Sequence, residues 1–93
     1  MTVTFWIPAP LTPMTGGRAH VEVKIVGDTL RDALEALFAV HPGVRDRVLT
    51  EQGEIRQHVN LFVGDTDVRS AEGLATRLVD RVEVSIIPAI SGG

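Results

Sequence analysis

Cysteine is absent from this chain of 93 residues. Its absence excludes disulfide stapling, thiolate zinc sites and cysteine nucleophiles. Long apolar runs are absent as well: the longest are strand-length, far short of the ~20 residues that span a bilayer. No block of Lys and Arg occurs and the formal net charge is −3. Nucleic acid and anionic membrane, which select basic patches, are therefore not expected as partners. No basic segment followed by an apolar stretch opens the chain, and Pro8, Pro10 and Pro13 interrupt it early. A signal peptide is not expected, which leaves the cytoplasm as the expected compartment. Lysine is scarce: Lys24 stands alone, which weighs against a modifier that builds chains on its own lysines.

What is present is strongly patterned. Apolar residues make up 44% of the chain, an ordinary globular share for a length that fits one domain. Residues 2–7 alternate, with Val3, Phe5 and Ile7 on one face, and predict a strand. A loop rich in proline and glycine follows from Pro8 to Gly17. Residues 19–26 alternate again, with Val21, Val23 and Ile25 inward, so the two strands read as a hairpin. A helix is predicted next. Asp28 or Thr29 can cap it, Asp32 suits its first turn, and Leu30, Leu34, Leu37 and Phe38 form one apolar stripe. His41-Pro42-Gly43 ends it.

Residues 44–57 read as polar, with a short helical turn around Val44–Leu49 and then a mobile loop. Val59, Leu61 and Val63 predict a third strand, closed by Gly64-Asp65. Asp67–Arg69 predicts a brief edge strand, and residues 70–81 a turn with a short helix. Arg81–Ile87 is the last strand, with Val82, Val84 and Ile86 inward and Pro88 at its end. This order predicts a two-layer α+β domain, a mixed sheet with one main helix across one face: the β-grasp. The expected domain is 1–89, with residues 90–93 as a flexible tail.

The tail carries the chemistry. It ends in Gly92-Gly93, and a glycine pair passes through a narrow channel because it has no Cβ to obstruct close approach. A carboxylate is a poor electrophile. Adenylated by another protein it becomes a mixed anhydride, open to attack by a sulfur nucleophile. A thiocarboxylate on Gly93 would then hold sulfur outside any side chain. The plainer reading, a frayed end, fits the dipeptide alone but not its place behind a β-grasp pattern.

Taken together, several stretches resemble the MoaD/ThiS family of ubiquitin-like sulfur carriers over essentially the whole chain. They are Ile7-Pro8 with Leu11, Pro13 and Thr15-Gly16-Gly17; Gly27-Asp28-Thr29-Leu30; Val59-Asn60; Asp67-Val68-Arg69; Gly73-Leu74-Ala75-Thr76; and Ile87-Pro88-Ala89 before Gly92-Gly93. The long Pro/Gly loop and the Gly-Leu-Ala-Thr stretch favour the CysO-like, cysteine-biosynthetic branch. The resemblance implies a co-substrate rather than an enzyme, with no bound cofactor. An ATP-dependent, ubiquitin-activating-like enzyme of the MoeB/ThiF type would adenylate Gly93. A PLP-dependent cysteine synthase would take the sulfur, and a metallopeptidase would restore the glycine. A protein modifier joined to lysines through Gly93, or the small subunit of a molybdopterin-synthase-like complex, would share the same activation chemistry.

Other residues are weighed against plainer roles. Trp6, Phe62 and Ile87 fall opposite the helix-facing positions, where clustered apolar groups mark a docking surface and isolated ones mean little. Ile90, in the tail, joins them as a candidate. Arg69 reads first as a surface arginine, and second as a contact for an acidic partner or for the departing adenylate. His20, His41 and His58 have no metal-like spacing, and Asp65 with Asp67 lacks the rest of a calcium loop, so no metal site is expected.

Overall fold

The computed structural model of the chain describes residues 1–88; the expected tail, with its boundary at residue 90, lies outside them. Strand β1 (Thr2–Trp6) and strand β2 (His20–Lys24) form the predicted antiparallel hairpin, with Phe5 opposite Val21 and Trp6 opposite His20. Helix α1 (Leu30–Val40) follows, then the single-turn helix α2 (Arg45–Val48). Strands β3 (Val59–Val63), β4 (Thr66–Asp67) and β5 (Glu83–Pro88) complete a sheet in the order β2-β1-β5-β3-β4. β5 enters the centre, parallel to β1 and antiparallel to β3. This is a mixed five-stranded sheet crossed by one main helix, the β-grasp arrangement.

Alternation decides which face is covered. Val3, Phe5, Val21, Val23, Leu61, Val84 and Ile86 are buried on one side of the sheet, together with Leu30, Ala33, Leu34 and Leu37 of α1. Phe38, on the same predicted stripe, is only partly buried, as are Val63 and Val82. The helix begins where expected. The Thr29 hydroxyl accepts from the Asp32 amide at 3.3 Å and the Asp32 carboxylate accepts from the Thr29 amide at 3.2 Å, a reciprocal cap on two orphan donors.

Three expectations are corrected. The Pro8–Gly17 loop holds a 3-10 helix over Ala9–Thr15. Proline suits its first turn, where no N–H is needed, and Leu11 and Thr15 turn into the core. The Thr15 hydroxyl is satisfied there by donating to the Arg18 carbonyl at 2.7 Å. The 44–57 segment is not a free loop: Val44 and Val48 are fully buried, Leu49 nearly so, and Leu49 bridges to Ile55. The edge strand is Thr66–Asp67, and Arg69 sits instead in a 3-10 turn, Val68–Ser70, whose start is capped by the Asp67 carboxylate.

Candidate functional site

The sheet face opposite α1 is open, and strand register sets a row across it. His20 on β2, Trp6 on β1, Ser85 on β5, Phe62 on β3 and Asp67 on β4 follow one another in register. The next outward pair is Asn60 on β3 with Ile87 on β5. Trp6 and Ile87 are each 45% exposed, far more than large apolar side chains buried elsewhere in the sheet. Phe62 is half-buried between its neighbours. Three expected candidates thus share one surface.

Trp6 is held rather than loose. Its indole N–H donates to the Glu83 carboxylate, and the His20 ring meets it edge to face with centroids 4.1 Å apart. Fixing an aromatic side chain before contact reduces the entropy lost on binding. The sequence alone did not reveal His20 in this role, because the pairing depends on a register set across a long connection.

Beside Trp6 lies a shallow groove of about 330 Å³, lined by Ile7, Pro8, Ser85, Ile86, Ile87 and Pro88. Its walls are almost wholly apolar. A second depression shares Trp6 and Ser85 and runs the other way, to Gly64, Asp65 and Glu83. The surface is therefore apolar toward the end of β5 and acidic toward its start. Pro88, the last described residue, stands at the rim of the apolar part.

Arg69 lies at the far side of this row. Its guanidinium donates to the Asn60 side-chain oxygen at 2.8 Å and to the carbonyls of Arg56 at 2.8 Å and Gln57 at 3.4 Å. Through Asn60 it stands one strand from Ile87. Ile90, Gly92 and Gly93 lie outside the described residues. The three histidines are apart: His20 meets Trp6 edge to face, His41 follows the last turn of α1, and His58 is exposed ahead of β3. Among the described residues no group of three or more His, Cys, Asp or Glu could hold a metal ion, and no helix is long and apolar enough to cross a membrane.

Comparison with known proteins fits this geometry. The model of the ThiS family matches residues 6–93. The sulfur carrier protein CysO of Mycobacterium tuberculosis is 40% identical over 95 residues, covering 100% of both chains. Small archaeal modifier protein 1 of Haloferax volcanii is 37% identical over 86 residues, 91% of this chain and 93% of that one. Among solved structures, the Amycolatopsis orientalis BexX/CysO complex contains a chain that superposes with a TM-score of 0.88 at 34% identity, covering 98% of this chain and 99% of that one.

Proposed function

The chain belongs to the ThiS family, and on that premise we propose that it is a sulfur carrier whose working group is the Gly93 carboxylate. The observation that carries the reading is the course of β5. It runs through the centre of the sheet and ends at Pro88, on the rim of the groove that Trp6 and Ile87 line. The residues that follow, ending in Gly92-Gly93, start from the surface best suited to a partner. Full-length likeness to a sulfur carrier supports the same reading.

The chemistry is written on Gly93. Its carboxylate attacks the α-phosphate of ATP in a MoeB/ThiF-type enzyme and pyrophosphate leaves. Sulfide then attacks the acyl carbon and AMP leaves, so the glycine ends as a thiocarboxylate. Its sulfur is the nucleophile delivered to an acceptor. Likeness to CysO favours a PLP-dependent cysteine synthase as the acceptor enzyme, with a metallopeptidase restoring the glycine. The chain's part is carriage: a rigid sheet for docking, and glycines narrow enough to enter an active site.

Deleting Gly93 tests this. ATP–pyrophosphate exchange with the activating enzyme and sulfur transfer should both vanish while the unfolding midpoint stays put, since terminal residues commonly add little to stability. Retained transfer would contradict the reading. A second reading, a modifier joined to protein lysines, is favoured by the likeness to small archaeal modifier protein 1. Immunoblots of native cell extract separate the two: a single free band supports the carrier, a ladder of heavier species the modifier.

A further inference from the structure

Strand β2 is an edge of the sheet: in the order β2-β1-β5-β3-β4 it has a neighbour on one side only. Its ladder to β1 is fixed by the bonds that flank it. The Ile25 amide donates to the Met1 carbonyl at 2.9 Å, the Met1 ammonium donates to the Ile25 carbonyl at 2.9 Å, and the Ile7 amide donates to the Ala19 carbonyl at 2.7 Å. Antiparallel bonds recur at every second residue, so within β2 it is Val21 and Val23 whose backbone groups face β1. The N–H and C=O groups of His20, Glu22 and Lys24 point out of the sheet, and none of them has a partner among the described residues. These three residues are exposed, while Val21 and Val23 are buried.

Such an edge is a template for another strand, and charged residues on it ordinarily prevent pairing. Here the charges reject some pairings and favour one. A second copy meeting β2 antiparallel must set even-numbered residues against even-numbered ones, because only those carry free backbone groups. With Glu22 opposite Glu22 of the second copy, two carboxylates meet and Lys24 falls opposite a histidine. Sliding one way sets His20 against Glu22 of the second copy, but then Lys24 falls opposite its Arg18. Sliding the other way sets Glu22 against Lys24 of the second copy, and Lys24 against its Glu22. Of the offsets that overlap the strand by more than a single residue, this one alone pairs opposite formal charges and opposes no like ones. It also sets Val26, at 107% the most exposed large apolar residue described, opposite His20 of the second copy.

We propose that β2 is a self-association edge: two copies pair antiparallel through Glu22 and Lys24, about a two-fold axis at Val23, and their sheets become one. Contact between identical patches closes on itself and stops at a dimer. Side chains opposite each other in such a ladder share a face, so both open faces lie on one side of the joined sheet. Because β5 is parallel to β1, the two C-terminal segments leave at opposite ends, each clear of the axis. The overlap is short, so the dimer is weak and forms at high concentration. Self-association of this kind does not depend on what Gly93 carries.

Sedimentation velocity over a concentration series reaching millimolar protein is the first measurement, with amide hydrogen exchange beside it. The wild-type chain should pass from monomer to dimer. When free protein equals the dissociation constant, the Glu22 and Lys24 amides should exchange about twofold more slowly than in dilute protein. Glu22→Lys and Lys24→Glu each set like charges opposite one another at both pairs, and each should weaken the dimer about tenfold or more. An equimolar mixture of the two variants sets opposite charges at both pairs again, so mixed dimers should form where neither variant dimerises alone. Both variant chains remain net negative, so overall attraction does not explain such a recovery. A wild-type chain that stays monomeric at millimolar concentration overturns the proposal. So does a dimer that survives either substitution, or a mixture no tighter than its components, which would place the contact or the register elsewhere.

Discussion

Gly27 lies so close to Asp32 that no side chain fits between them: a Cβ built on Gly27 would overlap the Asp32 carboxylate. That carboxylate is half of the cap that starts α1, so the glycine is required by the cap rather than by an unusual backbone angle. Gly27→Ala should push the Asp32 side chain out of its bond with the Thr29 amide and lower stability. Thr29→Ala, which removes the other half, should cost about 0.5–2 kcal/mol. If the mechanism is shared, Asp32→Asn should do little further harm in a Gly27→Ala background. Additive losses in denaturant titrations would show that Gly27 acts elsewhere.

The same cap has a pH signature. The Thr29 hydroxyl, then the Thr29 amide, hold the Asp32 carboxyl below its ordinary value, and the Thr2 amide does the same for Asp80. A group whose folded pKa is depressed contributes stability above its unfolded pKa and loses it as pH falls through the folded one. Thermal midpoints should therefore fall below the usual carboxylate range of about 4. The fall should be smaller in Asp32→Asn than in the wild type, and an equal fall would contradict the assignment.

Leu34 is 1% exposed and packs under the sheet. Leu34→Ala should cost about 2–5 kcal/mol. Val48→Ala, in the short α2, should also destabilise measurably, because Val48 is fully buried. A negligible loss at Val48 would mean that the segment after α1 contributes little to the core.

Much of this was legible in the sequence because burial and period coincide. Alternation in residues 2–7 and 19–26 placed Val3, Phe5, Val21 and Val23 correctly, and put Trp6 on the opposite face. The cap was legible because Thr29 and Asp32 stand three residues apart. Val44, Val48 and Leu49 were harder: they are few, set among charged residues, and become a buried face only when the segment after α1 packs into the core. The Pro8–Gly17 stretch hid a 3-10 helix because proline suits a helix's first turn as well as a loop. The hydrogen bonds of Arg69 and the edge-to-face contact of His20 with Trp6 join residues distant in sequence, and no local pattern announces them.

Trp6 is the sole tryptophan, so its emission reports directly on the open face. Binding of the activating enzyme should shift that emission. Trp6→Ala should weaken binding about tenfold or more, as expected of a central aromatic anchor. Val79 is 70% exposed beside residues that bond to Thr2, at the other end of β1. Val79→Ser should leave binding unchanged. Equal effects at Trp6 and Val79 would contradict a localised docking surface.

Whether sulfur rides on Gly93 can be read by intact mass spectrometry. The protein is incubated with its activating enzyme, ATP and a sulfide source, then measured before and after an alkylating reagent. One oxygen should be exchanged for sulfur, located at Gly93 by fragmentation, and trapped by the reagent in a chain that has no cysteine to compete. An unchanged mass, with the domain folded and the enzyme active on a known carrier, would contradict it.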